Sequence, residues 1–397
     1  MAKREPLRVA FTHIPRRAWA GGYNYQRNLF EALHRYRPGE VRPVLFAGKN
    51  DDAAEIAALG QIPGVEIFQS RAFDRAGHGL VSALAFGIDR PAVAEFRAHQ
   101  IDIVFESARF FGWRLPFPAI AWFPDFQHRL LPNLFSRQAY WRRDLGFRAQ
   151  IASGRHIMLS SVSALGDLTR FYPGVTNGVS VVRFATEPPS DSLTTDAFDI
   201  VARYGLPQRF LYLPNQFWRH KNHQLVIDAL GLLKQRGVDA VVAASGSTHD
   251  PREPEYFHNA MRDVAARGLG TNFRHLGMIP LDHVYALLRT SVALINPSQC
   301  EGWSTTVEEA KSFGSPMILS NIPVHREQTE EAARYFAAND AEALANHMSE
   351  VLEQAGPVVV RDLQARVGER VRAFAIHFID TIQLAILSQA AAVSTGR

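Results

Sequence analysis

A single cysteine, Cys300, among 397 residues makes an intramolecular disulfide impossible and removes any sign of an oxidising compartment. Long apolar runs are missing as well. No segment approaches the roughly 18 to 20 apolar residues that span a bilayer, and Met1-Ala-Lys-Arg-Glu-Pro is not followed by an apolar core of signal-peptide length. A cytoplasmic location is therefore expected. No internal repeat or low-complexity tract is found, so the chain is not a repeat array. The net charge of +4 is small, and no recognised nucleic-acid motif accompanies it, which speaks against a nucleic-acid partner.

What is present is the composition of a globular α/β protein. A hydrophobic fraction of 47% is enough for sizeable cores, and the length suits two domains of roughly 180 residues each. Strand patterns alternate with helical stretches, as in parallel sheets with crossover helices. The stretch Ala-Thr-Glu-Pro-Pro-Ser-Asp-Ser-Leu-Thr-Thr has turn and linker composition. It places a first domain at 1–184, a linker at 185–207 and a second domain at 208–360. In the remaining 361–397, Val371 to Leu387 reads as one long helix.

The most informative run is Asn296-Pro-Ser-Gln-Cys-Glu-Gly-Trp-Ser-Thr-Thr-Val-Glu-Glu-Ala. Before it, Val292 to Ile295 reads as a buried strand stopped at Asn-Pro. After a glycine-containing loop, Thr305-Thr306-Val-Glu-Glu marks a helix N-terminus. Strand, loop and helix in that order offer free backbone N–H groups to an anion. Gly302, Trp303, Ser304, Thr305 and Thr306 line that offer. Glu301 precedes the helix and Glu309 stands about one turn inside it, roughly 6 Å along the axis. The two carboxylates can flank a bound diphosphate, Glu301 taking sugar hydroxyls and Glu309 ribose hydroxyls. The same spacing also satisfies a capping box, Thr305 with Glu308 or Thr306 with Glu309, which needs no ligand.

Three further runs carry polar loops after strands. Phe210-Leu-Tyr-Leu-Pro-Asn-Gln-Phe-Trp-Arg-His-Lys-Asn-His opens from a strand into Asn215, Arg219 and Lys221, then a helix with Leu225, Ile227, Leu230 and Leu233 on its apolar face. Arg219 and Lys221 read either as cations for a leaving diphosphate or as a solvated loop. His220 and His223 lack the Cys or carboxylate company of a metal site, and no metal is expected. Near the N-terminus, Leu7-Arg-Val-Ala-Phe-Thr is a short strand, and Ala20-Gly-Gly-Tyr reads as a glycine loop opening a helix. Gly21 and Gly22 there allow close backbone approach to a phosphate or sugar. Ala119-Ile-Ala-Trp-Phe-Pro-Asp-Phe-Gln-His supplies Asp125 and His128 after a third strand. His128 reads as a polar site residue or a surface histidine.

The segment Glu301 to Glu327 closely resembles the E-x7-E region of retaining glycosyltransferases of family 4, the "group 1" transferases, with Gly314 and Pro316 before an apolar strand and then Ser320-Asn321. The resemblance implies a GT-B fold: two Rossmann-like domains facing a cleft, with the C-terminal helix crossing back to the first domain. It implies a nucleotide-diphosphate-sugar donor held mainly by the second domain and a glycan or lipid-linked acceptor on the first. Lys221 takes the position of the family's phosphate-binding lysine. The family arginine five residues earlier is Gln216 here, and Arg219 is the expected substitute. Gly21 and Gly22 would face the transferred sugar. The family's His-Asp after the third strand is Pro124-Asp125, with His128 three residues on to take the polar role.

The expected reaction is transfer of a hexose-like sugar to a hydroxyl, in cell-envelope polysaccharide synthesis, without a protein nucleophile or a metal. Cys300 beside Glu301 reads as a packing residue rather than a nucleophile. Two other classes stay open: a GT-B nucleotide-sugar epimerase, and a non-catalytic sugar-nucleotide-binding subunit. Finally, Arg137, Arg142, Arg143, Arg148 and Arg155 interleave with Phe135, Tyr140, Trp141 and Phe147, with Asp144 alone opposing them. This stretch reads as contact with anionic lipid or as a solvated helix with its aromatic face packed inward.

Overall fold

The computed structural model describes residues 5–74, 82–83, 85–107, 109–329, 333–356 and 359–394. The leader reading at Met1 to Arg4 lies outside the described residues. Two compact units divide the chain: Met1–His128, Arg137–Ala185 and Glu369–Arg397 form the first, Arg129–Ser136 and Thr186–Gly368 the second.

The first unit is built on strands β1 (Leu7–Thr12), β2 (Val41–Ala47), β3 (Glu66–Gln69), β4 (Ile103–Glu106), β5 (Ala119–Phe123), β6 (His156–Leu159) and β7 (Val179–Val181). They pair in the order β3-β2-β1-β4-β5-β6-β7, every pair parallel. The second unit holds β8 (Leu211–Leu213), β9 (Val242–Ala244), β10 (Phe273–His275), β11 (Ala293–Asn296), β12 (Met317–Ser320) and β13 (Arg334–Phe336). Their order is β10-β9-β8-β11-β12-β13, again all parallel.

Continuous apolar runs suit strands covered on both faces. Along β8, Leu211 and Leu213 enter one core cluster while Tyr212 enters the other; along β11, Ile295 and Leu294 divide in the same way. That alternation is the period of two of an extended chain. Helices His223–Gln235 and Ala341–Gln354 cover the first face, while Leu281–Thr290 and Thr305–Ser312 cover the second. The expected class, α/β with two Rossmann-like sheets, is borne out.

The stretch read as a linker contains more structure than its composition suggests. Helix Ala197–Arg203, capped by Asp196 on the N–H groups of Phe198 and Asp199, packs Ala197, Ile200 and Val201 into the second unit's core. Seven residues are two turns, too short for a hydrophobic period to register in sequence.

The C-terminal helix runs Val367–Ser394. Its Phe374 meets Tyr25 and Phe184 at 5.5 and 5.6 Å between ring centroids, and Phe378 meets Phe11 and Phe105 at 6.0 and 5.7 Å. The helix is thus part of the first unit's core. Within it, in the span Val367–Gln389, an 18-residue window reaches a mean hydropathy of 1.4, so by length and composition alone the helix could cross a membrane, which corrects the expectation that no segment approaches that length. A helix buried against aromatic rings passes the same test of composition.

Candidate functional site

In the second sheet, β8 leads outward to β9 on one side while β11 joins it on the other. The chain's direction of progress reverses between β8 and β11, and open parallel sheets bind ligands beyond the carboxyl ends of the strands at such a point. Both loops singled out in the sequence leave from here.

After β8 the chain passes through a short 3-10 turn, Arg219–Lys221, to Asn222, whose backbone is left-handed at φ 59°. Asparagine tolerates that region better than most residues. Its amide donates to the carbonyls of Pro297 (3.2 Å) and Ala338 (2.8 Å), which holds the turn against the loop after β11. The backbone N–H of Gln299 donates to the carbonyl of His220 at 2.8 Å. Between these ties, Lys221 Nζ donates to Glu301 Oε1 at 2.5 Å, with the two side chains only 15% and 10% accessible. The two leading candidates are therefore brought together as an ion pair.

Asn296, fully buried at the end of β11, organises the loop. Its Oδ1 accepts from Ser298 N (3.2 Å), Ser298 Oγ (2.7 Å) and Asn215 Nδ2 (3.2 Å), and its Nδ2 donates to Ser304 Oγ (2.9 Å) and Thr306 Oγ1 (3.2 Å). Gln328 clamps the far end, accepting from Ser304 N at 3.0 Å and donating to Ser304 O at 2.8 Å. Neither residue was among the sequence candidates. An asparagine closing an apolar strand before proline is a signal that could have found Asn296; Gln328, 24 positions from its partner, leaves none.

The capping-box alternative is not formed. The N-cap of helix Thr305–Ser312 is Ser304, whose side chain makes no capping bond, and Thr305 and Thr306 already lie within the first turn. Glu308 instead accepts from Lys311 Nζ (3.0 Å) and Gln328 Nε2 (3.2 Å). Glu309 is buried inside the helix, close enough to Tyr212 that, after burial itself, its charge helps push that phenol's pKa upward. Gly302 and Trp303 are partly exposed on the loop.

Other basic groups near the turn have carboxylate partners. Arg219 Nη1 donates to Glu253 Oε1 at 2.6 Å on the surface. Arg252, absent from the sequence candidates, is paired with Asp250 and lies over the rings of Trp218 and Phe135. His220 and His223 serve the scaffold. His220 Nδ1 is 3.3 Å from Arg252 Nη2, and burial drives its pKa well below the ordinary value. His223 Nε2 donates to the carbonyl of Asn215 at 3.2 Å while its ring stacks on Phe217 at 4.0 Å, and burial brings its pKa to about 3. Among the described residues no cluster of three His, Cys, Asp or Glu suits a metal ion.

The remaining candidates belong to the first unit. Gly21 and Gly22 lie in the first turn of helix Ala20–Tyr36, not in a loop before it. A Cβ on Gly22 would meet the Trp19 ring at 2.3 Å. These glycines make room for an indole that stacks on Trp122 at 5.3 Å. Asp125 Oδ1 accepts from Gln127 N at 2.7 Å and Arg143 Nη2 at 2.8 Å. His128 is fully buried, not a surface residue, with Nε2 3.2 Å from Tyr172 OH, which donates to Asp144 at 2.6 Å.

The basic stretch becomes helix Arg137–Ala152 and the turn beyond it. Asp144 is not its sole counter-charge: Asp125 holds Arg143, Asp144 holds Arg148, and buried Glu106 holds Arg155. Phe147 packs inward on Phe123 at 3.9 Å. Arg137, Trp141, Arg142 and Leu145 remain on the exposed face.

Residues 200–374 match the family described as "Glycosyl transferases group 1". No curated protein matches the sequence significantly. Over nearly their whole lengths, several solved structures share the fold. Sucrose-phosphate synthase from Thermosynechococcus elongatus is 15% identical, over 99% of this chain and 98% of that one, with a TM-score of 0.66. Anabaena Alr3699/HepE, in complex with UDP and glucose, is 17% identical over 98% and 100%, at 0.64. WaaG, a glycosyltransferase involved in lipopolysaccharide biosynthesis, is 16% identical over 97% and 98%, at 0.61. At these identities the likeness establishes the GT-B fold. The matched domain is that of a transferase enzyme.

Proposed function

We propose, from the match of residues 200–374 to the group 1 glycosyltransferase family, that this chain moves a hexose-like sugar from a nucleotide-diphosphate donor to a hydroxyl of a glycan or glycolipid, with retention of configuration. The observation that carries the reading is the Lys221–Glu301 pair on the loops that follow β8 and β11, beside the N-terminus of helix Thr305–Ser312.

Breaking the sugar–phosphate bond leaves negative charge on the departing diphosphate. The Lys221 ammonium and the first N–H groups of the helix are the fixed positive groups for it. As the diphosphate arrives, Lys221 exchanges part of its bond to Glu301 for phosphate oxygens, and the released carboxylate orients sugar hydroxyls. Glu309 takes the ribose hydroxyls. The acceptor hydroxyl attacks from the face the diphosphate leaves and passes its proton to the departing phosphate oxygen as the new C–O bond forms, so no protein nucleophile and no metal is required. The proposed setting is cell-envelope polysaccharide synthesis, in keeping with WaaG, a structural neighbour involved in lipopolysaccharide biosynthesis.

Glu301→Gln and Lys221→Ala should each lower turnover by about 10²–10³-fold with the fold intact by circular dichroism. Near-normal turnover in both would sink the assignment. UDP, GDP, ADP and their sugar conjugates identify the donor: at about 100 times its dissociation constant the right one adds roughly 2.7 kcal/mol of stability. Isomerised sugar nucleotide without acceptor would identify an epimerase, and binding without turnover a non-catalytic subunit.

A lipid-linked acceptor brings the enzyme to a membrane surface. The exposed face bearing Arg137, Trp141, Arg142 and Leu145 carries no acidic residue, since Asp144 on the same helix is buried. Such a face suits anionic headgroups. Co-sedimentation with phosphatidylglycerol vesicles should be lost in Trp141→Ala/Arg142→Glu; equal binding by wild type and variant would remove this face from the proposal.

A further inference from the structure

In the first unit, two glycines hold residues 85–90 against residues 109–118. Gly87 and Gly112 are both left-handed, at φ 73° and 100°. A Cβ on Gly112 would collide with the Gly87 carbonyl oxygen, and one on Gly87 would stand 2.5 Å from Trp113 Nε1. Arg114 N donates to Gly87 O at 2.7 Å and Asp89 N to Phe111 O at 3.0 Å, which locks the contact. Phe111 and Leu115 turn into the core beneath, while Trp113 between them stays outside. The nitrogen edge of its indole lies against Gly87, which turns the carbon edge away from that backbone.

The two segments present exposed aromatics with cations beside them. Phe86 is 63% accessible and Trp113 50%. The Arg90 guanidinium lies 6.0 Å from the Phe86 ring centroid, and Arg114 follows Trp113. Both arginines are exposed, and neither has a carboxylate partner among the described residues. Asp89, the one carboxylate in the two segments, is fully buried and accepts from Arg109 Nη2 at 2.6 Å. A glycan site needs amide, hydroxyl or carboxylate side chains to take up sugar hydroxyls, and these segments expose none. Aromatic rings beside unpaired arginines are instead complementary to an anionic lipid surface.

This patch lies on the side of the first sheet that carries helix Arg137–Ala152. Ala119 belongs to the core cluster with Phe111, and Ala121 and Phe123 to the cluster with Phe147. These three alternate along β5 and so share one face. Arg155, just past that helix, donates to the Gly112 carbonyl at 2.7 Å. The C-terminal helix covers the other face, where Phe378 meets Phe11 and Phe105.

We propose that Phe86 and Trp113, flanked by Arg90 and Arg114, form a second membrane-contacting patch, the rings entering the headgroup level of an anionic bilayer while the arginines pair with its phosphates. The proposal rests on the reading of the Trp141–Arg142 face as a membrane contact, and it fixes which side of the first sheet meets the bilayer. One weak signal gives marginal, reversible binding, and stable anchoring takes two.

Cys300, the chain's one cysteine, is buried, so the full chain takes a single environment-sensitive dye at an introduced thiol. Phe86→Cys places the dye on the patch. Leu384→Cys places it on the helix that covers the opposite face, where Leu384 is 49% accessible. With phosphatidylglycerol vesicles the dye at 86 should brighten and shift to the blue, and the dye at 384 should not. Phosphatidylcholine vesicles should leave both unchanged. Without dye, Trp113→Ser and Arg90→Glu/Arg114→Glu should each co-sediment with phosphatidylglycerol vesicles about tenfold more weakly than wild type.

A silent dye at 86 on protein that co-sediments overturns the proposal and leaves the Trp141–Arg142 face standing. Equal response of the two dyes overturns it, as does full vesicle binding by either variant. If one variant does not fold, the other decides. Brightening at 86 that follows protein concentration without vesicles also overturns it, and marks a contact between copies of the chain. Wild-type protein that does not sediment with the vesicles removes the membrane reading itself, an outcome distinct from the others.

Discussion

Lys221 and Glu301 stand 80 positions apart and meet at 2.5 Å in a site that is mostly screened from water. Removing either one strands the other's charge in a poorly solvated place, so single variants there cost more than the pair itself contributes. The buried His220, His223 and His325 of the same unit are charged at a cost for the same reason. His223 is fully buried, and burial brings its pKa to about 3. In the unfolded chain it takes up a proton near pH 6.5. Between those values the unfolded state binds more protons, so stability falls as pH drops from about 6.5 toward 3, by at most about 1.4 kcal/mol per pH unit for this residue. His325 adds a like dependence down to about 4, His220 and His275 are lowered in the same direction, and so is His156 in the first unit. Urea unfolding measured from pH 7 to 4.5 should show this decline, and His223→Gln should flatten it by about one proton. An unchanged slope in the variant would mean that His223 is not neutral in the folded protein.

Helix Ala20–Tyr36 starts with two glycines because an aromatic side chain occupies the space their Cβ atoms would need. Gly22→Ala sets a methyl group 2.3 Å from the Trp19 ring. The expected cost is about 1–3 kcal/mol from overpacking, against about 1 kcal/mol gained in helix propensity. With Trp19→Ala in place the clash is gone and the same change should stabilise, a coupling that denaturant unfolding of the four proteins would expose. Equal destabilisation in both backgrounds would return the glycines to a role in backbone approach. Strand, loop and helix after β8 and β11 were legible here, since each is encoded by neighbouring residues. The position of the cap was not: Ser304 is held by Asn296 and Gln328, and Gln328 comes from another helix.

Across the whole molecule, the last helix completes a unit that the first strands begin. Phe378 is fully buried against Phe11 of β1 and Phe105 of β4. Phe378→Ala should cost about 3–5 kcal/mol, the usual range for deleting a buried ring, and should lower the unfolding midpoint by several degrees. A loss under 1 kcal/mol would show that the helix is not part of that core. The apolar composition that completes the core also gives this helix the length and hydropathy of a membrane span.

Local order was decided by the sequence alone. Continuous apolar strands, short polar loops and amphipathic helices alternate because each requires only the spacing of nearby residues, and that spacing was enough for two parallel sheets and for the two loops of the candidate site. Tertiary structure decided which side chains meet. Lys221 found Glu301 and Arg155 found Glu106, each through strand order and helix packing that bring distant residues within a few ångströms. Charge and hydrogen-bond pairing depends on those distances, and separation along the chain carries no record of them.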